Sequence, residues 1–221
     1  MTNSIRNEKG NVTIFVLSVF FLLMIIVFFV LLNFAKVFID KQQASNSADQ
    51  ASLAATKLIY DKTEEAIKDY DLYAILNPLD PYVPIGPDIS LKEQQLKGMH
   101  PNWSKNEIRY AAIDDILTVE LSSNVKLQSF ILAGLQSASS EMKGTVNRII
   151  TDNGATPAGT TIDMFAKERV EVKTSVRYET IKDEEGVIPH FEEQVFQIGK
   201  SREIDFVDNV YYWIDQKHEI N

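Results

Sequence analysis

Val12-Thr13-Ile14-Phe15-Val16-Leu17-Ser18-Val19-Phe20-Phe21-Leu22-Leu23-Met24-Ile25-Ile26-Val27-Phe28-Phe29-Val30-Leu31-Leu32 is an uncharged run of 21 residues, 18 of them Val, Ile, Leu or Phe. At 1.5 Å per residue a helix of this length spans roughly 32 Å, which matches a hydrocarbon core of about 30 Å. Those side chains contribute roughly 0.3–0.6 kcal/mol each at the bilayer centre, so insertion is favoured by at most about 5–10 kcal/mol. A buried soluble helix is the competing reading, but such helices are rarely apolar on every face over this length. The run therefore predicts a membrane-spanning helix over residues 12–34, with Val12, Phe20, Ile25 and Leu32 marking its course through lipid.

The flanks set the expected orientation. Arg6 and Lys9 precede the span with Glu8 as the only acid, and Lys36 and Lys41 follow it with Asp40 between them. A short positive leader favours a cytoplasmic N-terminus and export of the long remainder. A cleaved secretory signal would have a shorter apolar core followed by a small-x-small site. Here the core is longer, and Asn33-Phe34-Ala35 has a bulky residue at its centre. The expectation is a retained single-pass anchor in the cell membrane, with residues 1–11 as a cytoplasmic stub and the C-terminal domain extracytoplasmic.

Beyond residue 11 the chain holds 20 Lys and Arg against 30 Asp and Glu. Such an acidic domain repels nucleic acid, so no nucleic-acid partner is expected. With no cysteine in the chain, disulfides, thiolate nucleophiles and Cys-type zinc sites are excluded. About 185 residues follow the span, enough for one domain with its own core.

From Val37 no Gly or Pro occurs until Pro78. This predicts an extended juxtamembrane helix over 36–76. Small or apolar residues recur at Ala44, Ala48, Ala51, Ala55 and Leu58 with spacings of four and three, a candidate helix-packing seam. An Ala-rich seam lets a partner helix approach closely, and equally suits a stiff helix covered by its own domain; one sequence does not say which lies opposite.

Pro78, Pro81, Pro84, Pro87 and Pro101, with Gly86 and Gly98, mark residues 77–103 as a Pro-rich loop with room for a short helix at 90–97. Ser104 and Glu107 form a Ser-x-x-Glu capping box that opens a helix near Lys105. A second helix carries a stripe at Ile131, Leu135, Ala138, Met142, Val146 and Ile149, and Asp152-Asn153-Gly154 ends it. Residues 154–161 read as a turn or loop. Helices are thus expected over about 104–152 and strands over about 168–206. Val170, Val172, Thr174, Val176 and Tyr178 alternate with polar residues as a half-buried strand. Asp183-Glu184-Glu185-Gly186 reads as a turn, and a second strand is expected between Phe191 and Ile198, with strand resuming up to Phe206. The aromatic tail, Tyr211-Tyr212-Trp213, is read as a docked terminal helix or an exposed contact. The fold class is α+β: the long N-terminal helix, an extracytoplasmic helical region over the first part of 104–221, then a small antiparallel β-sheet.

His100, His190 and His218 fall in no ligand spacing, and the chain has no phosphate loop and no G-x-S-x-G elbow. The acidic pairs Glu64-Glu65, Asp114-Asp115, Glu184-Glu185 and Glu192-Glu193 read as solvated faces or turns. Asp80 and Asp88 lie near the prolines without the spacing of a Ca²⁺ loop. No catalytic, cofactor-binding or metal site is expected, and the chain reads as a non-enzyme with no cofactor.

Lys9-Gly10-Asn11-Val12, the apolar span, Lys41-Gln42-Gln43 and the stretch Asn46 to Ala55 together resemble the N-terminal segment of the TadE/TadG-like Flp (tight adherence) pilus-assembly proteins. Asn46, Ala48, Asp49, Ala51, Leu53, Ala54 and Ala55 fit that family's Asn-x-Ala-Asp-x-Ala-x-Leu-Ala-Ala pattern. The leader also resembles that of type IV prepilins, whose peptidase cuts after the Gly, so Gly10 and Asn11 flank a candidate prepilin-type cleavage site. Phe15 stands where pilin-type sequences carry Glu, which favours a TadG-like over a TadE-like reading. The resemblance implies a pseudopilin-like structural or accessory component of a Flp pilus or related secretion assembly. Its partners would be the lipid bilayer and other pilus-assembly or membrane-platform proteins, with homo- or hetero-oligomers formed through the juxtamembrane helix. The alternative is a membrane-tethered extracytoplasmic binding or sensing domain unrelated to pili.

Overall fold

The computed structural model describes residues 8–166, 168–179, 192–210 and 216–220. One helix, α1, runs without interruption from Glu8 to Leu76. The apolar span and the juxtamembrane segment are therefore a single rod of about 100 Å at 1.5 Å per residue. Nothing in the sequence from Asn11 to Asn77 breaks it, since neither Gly nor Pro occurs there.

Three further helices follow: α2 (Gly86–Met99), α3 (Lys105–Glu120) and α4 (Val125–Asp152). Half of the expected 77–103 loop is thus helical. Pro87 sits in the first turn, where a missing N–H costs nothing. Ile85, the N-cap, supplies no side-chain cap. Asp71 of α1 does so instead, accepting from Ile85 N–H at 2.8 Å and Gly86 N–H at 3.0 Å. A residue 14 positions upstream starts this helix, which local propensity could not reveal.

The capping box at α3 forms as read: Ser104 Oγ accepts from Glu107 N–H at 3.2 Å, and Glu107 Oε2 accepts from Ser104 N–H at 2.6 Å. In α4 the stripe Ile131, Leu135, Ala138, Met142 and Val146 is fully buried, but it ends on Ile150 rather than the half-buried Ile149. The helix closes with Gly154 N–H on Thr151 O and Ala155 N–H on Ile150 O, both 3.0 Å, with Gly154 at φ +71°. That is the bond pattern of a Schellman end, and Ala155 buries beside Ile150.

The sheet has four antiparallel strands in the order β3-β2-β1-β4, with β1 Thr156–Ala166, β2 Arg169–Glu179, β3 Glu192–Lys200 and β4 Gln216–Ile220. Two sequence expectations are corrected here. Residues 156–161, read as loop, begin β1. Pro157 and Gly159 fall where the β1–β2 register slips between Thr156 and Thr161, the kind of irregularity that tolerates both residues. Second, strand structure does not continue to Phe206. Residues 201–204 are irregular, and Asp205–Asn209 is a 3-10 turn that buries Phe206 and Val207. The predicted turn at 183–186, His190, Phe191 and the aromatics Tyr211, Tyr212 and Trp213 lie outside the described residues.

The inner sheet face carries Ile162 and Met164 of β1, Val172, Thr174 and Val176 of β2, and Gly199 of β3. It packs against α1 and α4, which also pack along each other. Helices α2 and α3 pair beside α1, and α3 rests on the 3-10 turn.

Candidate functional site

The apolar part of α1 stands clear of the domain. Its large side chains are exposed throughout the run, from Val12 (64%) through Phe20 (60%) to Ile25 and Leu32 (each 38%). A window of this helix has the length and hydropathy to cross a bilayer, so it is a candidate membrane span. Gly10 and Asn11 lie in its first turns.

The seam has a different fate. Ala44, Ala48, Ala51 and Ala55 are completely buried, and Leu58 packs against the same core. The cover comes from the chain's own α4, β2 and β3. A methyl side chain is what allows this. The backbone of Ala48 and Asp49 runs against Gly199 of β3 so closely that no β-carbon fits on Gly199. Of the two occupants the sequence left open, the structure has the chain's own domain in place. An oligomer contact through these alanines would require the domain to come off.

The face of α1 turned away from the domain carries Phe38, Gln42, Asn46, Asp49, Leu53 and Lys57, all exposed. Their spacings of three and four keep them on one side of the helix. Gln42 donates to Asn46 Oδ1 at 3.0 Å and Lys57 pairs with Asp61 at 2.5 Å. Leu53 is 59% exposed among these polar neighbours. This side of the juxtamembrane helix is not covered by the chain's own described residues.

Where α1 leaves the apolar run, Lys36 reaches back into the domain. Its Nζ donates to Glu179 O at the end of β2 and lies 5.8 Å from the Tyr178 ring centroid. The sheet therefore begins four residues, about 6 Å, beyond Leu32. No flexible stalk separates it from the candidate span.

Deeper in the domain, Tyr60 of α1, Asp114 of α3 and Arg202 after β3 meet. Tyr60 OH lies 2.8 Å from both carboxylate oxygens of Asp114, and Arg202 Nη2 lies 2.8 Å from Asp114 Oδ2. Tyr110 stacks on Tyr60 at 4.0 Å, and Phe206 meets its edge. Burial pushes the Asp114 carboxyl up to about 7, against the pull of Tyr60 and Arg202. Burial also raises the Tyr60 phenol well above its ordinary range. This node ties three distant segments together.

The histidines do not converge. His100 stacks on Trp103, His218 contacts Ser139 Oγ at 3.1 Å, and His190 lies outside the described residues. The acidic pairs separate too. Glu64 binds Arg109, Glu65 binds Lys62, Asp115 binds Lys92, Glu192 binds Arg177, and Asp114 is the buried member of the node rather than a solvated residue. Glu184-Glu185 lies outside the described residues. Asp80 accepts from Tyr73 OH at 2.5 Å, and Asp88 lies in the first turn of α2. A carboxylate group missed in the sequence, Glu168, Glu203 and Asp205, brings its oxygens within 4.8 Å of one another. Glu203 is paired with Arg169, and a hydrogen bond with Asp208 raises the Glu168 carboxyl. No spacing in the sequence announces this group, because its members come from two loops.

Residues 10–57 match the model of the Flp pilus-assembly TadE/G-like family. The match spans the apolar run and the seam alanines Ala44, Ala48, Ala51 and Ala55, and ends short of Leu58 and the remaining domain. No curated protein and no solved structure matches the chain.

Proposed function

We propose that this chain is a single-pass, non-catalytic structural or accessory component of a Flp-type pilus or related secretion assembly, of the pseudopilin-like TadG kind. The observation that carries this reading is the coincidence of the family-matched segment 10–57 with one unbroken helix that joins an exposed apolar run to a folded α+β domain. Such a rod anchors the chain in the membrane and fixes the angle at which its domain is presented. The N-terminus lies in the cytoplasm and the domain outside. The partner-facing surface in this reading is the outward side of α1, with Gln42, Asn46 and Leu53, rather than the covered alanines.

Site-specific photo-crosslinking in cells tests it. Probes at Gln42, Asn46 and Leu53 should give adducts with pilus-assembly proteins, and a probe at Lys143 on the far side of α4 should not. Absence of adducts at all three positions would remove the assembly role. The Cys-free chain also permits an orientation test, since Lys143→Cys should react with an impermeant maleimide on intact cells. The intact mass and first residue of membrane-extracted protein separate two forms of the proposal. A chain that begins at Asn11 is a processed pseudopilin, and one that retains Met1 or Thr2 is a permanent anchor.

A further inference from the structure

A cleft of about 730 Å³ opens between α1, α2 and the start of α3. Its floor is Arg109, whose Nε binds Glu64 at 3.1 Å and whose Nη1 binds Glu93 at 2.7 Å. Lys97 and Lys105 also line it and make no ion pair among the described residues. Three cations against two carboxylates leave one net positive charge, in a protein whose formal charge is −9. Trp103 supplies an aromatic wall. His100 stacks on one face of the indole at 3.9 Å, and Trp103 remains 40% exposed and borders the cleft. Gln94 and Asn106 add amide donors and acceptors.

We infer that this cleft binds a saccharide bearing carboxylate groups. The volume lies within the range of small-molecule sites. An exposed indole stiffened from behind offers a flat apolar surface for the C–H face of a pyranose ring. The amides and the Glu64–Arg109–Glu93 array suit hydroxyl groups, which both donate and accept. Lys97 and Lys105 hold the acid group. A singly charged carboxylate on one ring matches the cleft's one net positive charge more closely than a phosphate dianion does. At the start of α3 the Glu107 carboxylate accepts from Ser104 N–H, which places a negative charge where a phosphate would otherwise sit. Glu64 lies 32 residues beyond Leu32 on α1, about 48 Å along the axis, so lipid headgroups do not reach the cleft. This inference holds whether or not the chain serves a pilus.

Calorimetric titration of the full-length protein in detergent micelles tests it, with tri-galacturonate as probe and maltotriose as the neutral control. Tri-galacturonate should bind saturably, with maltotriose at least about 10-fold weaker and Lys97→Ala/Lys105→Ala weakened by at least about 10-fold. Trp103→Ala should lose binding of both. The two lysines are exposed and make no ion pair among the described residues, so their double variant should keep the parent's thermal transition and remains decisive should Trp103→Ala misfold. The inference is overturned if tri-galacturonate gives no saturable heat, if maltotriose binds as well, or if the lysine variant binds like the parent.

Discussion

Gly199 of β3 lies directly against the Ala48 peptide of α1: a β-carbon on Gly199 would sit 2.2 Å from both the Ala48 carbonyl carbon and its oxygen. Helix backbone and strand backbone meet with no side chain between them. Gly199→Val should therefore prise β3 off the helix and cost at least about 2 kcal/mol, because the obstruction is backbone and cannot swing aside. Thermal unfolding of the full-length protein in micelles measures it. A variant with an unchanged Tm would mean that the helix does not lie on the sheet this way.

Ala51 and Leu53 separate folding from assembly. Ala51 is fully buried in the seam, and Leu53 is 59% exposed on the opposite side of the helix. Ala51→Asp should unfold the domain, since it places an unpaired carboxylate under α4 and the sheet at a cost above about 4 kcal/mol. Leu53→Asp should change stability by less than about 0.5 kcal/mol and act on co-purification with assembly partners instead. If Ala51→Asp melted like the parent, the seam would not be covered by the chain's own domain.

Asp114 makes stability depend on pH. Its carboxyl titrates near 7 when folded and near its ordinary 3.8 when unfolded, because burial outweighs Arg202 and Tyr60, with Asp205 and Asp115 pushing the same way as burial. Between those values the folded chain holds a proton that the unfolded chain has released. This contribution is fully present below about pH 4 and is lost as pH rises through 7, by up to about 4 kcal/mol. Urea midpoints at pH 5 and pH 8 should differ in that sense, and Asp114→Asn should remove most of the difference. An equal slope in Asp114→Asn would assign the effect to other groups.

Asp71 should govern α2. It supplies the cap that Ile85 cannot, with two bonds of 2.8 and 3.0 Å to backbone N–H groups. Asp71→Ala should cost about 1–2 kcal/mol and raise hydrogen exchange across residues 86–90 first. Uniform exchange across the domain would contradict a local cap.

Much of this was legible because it is local. An apolar run with no charge, a helix with no breaker, a Ser-x-x-Glu box and an alternating strand each declare themselves within one or two turns of chain. The resemblance carried by Asn46 to Ala55 was legible for the same reason. The start of β1 was readable in principle from buried Thr160, Ile162 and Met164 alternating with Thr161 and Asp163, but Pro157 and Gly159 masked it.

By itself the sequence determined the membrane-length helix, the α+β class and the absence of thiol chemistry, since composition and period suffice for these. Only the tertiary structure decided what covers the alanines, what starts α2, and why Asp114 is not a surface acid. Each depends on residues that are far apart in sequence: Gly199 beneath Ala48, Asp71 above Gly86, Arg202 and Tyr60 around Asp114. A helical period states that a face must be buried. It does not state against what, because the partner's identity lies in the fold and not in the spacing.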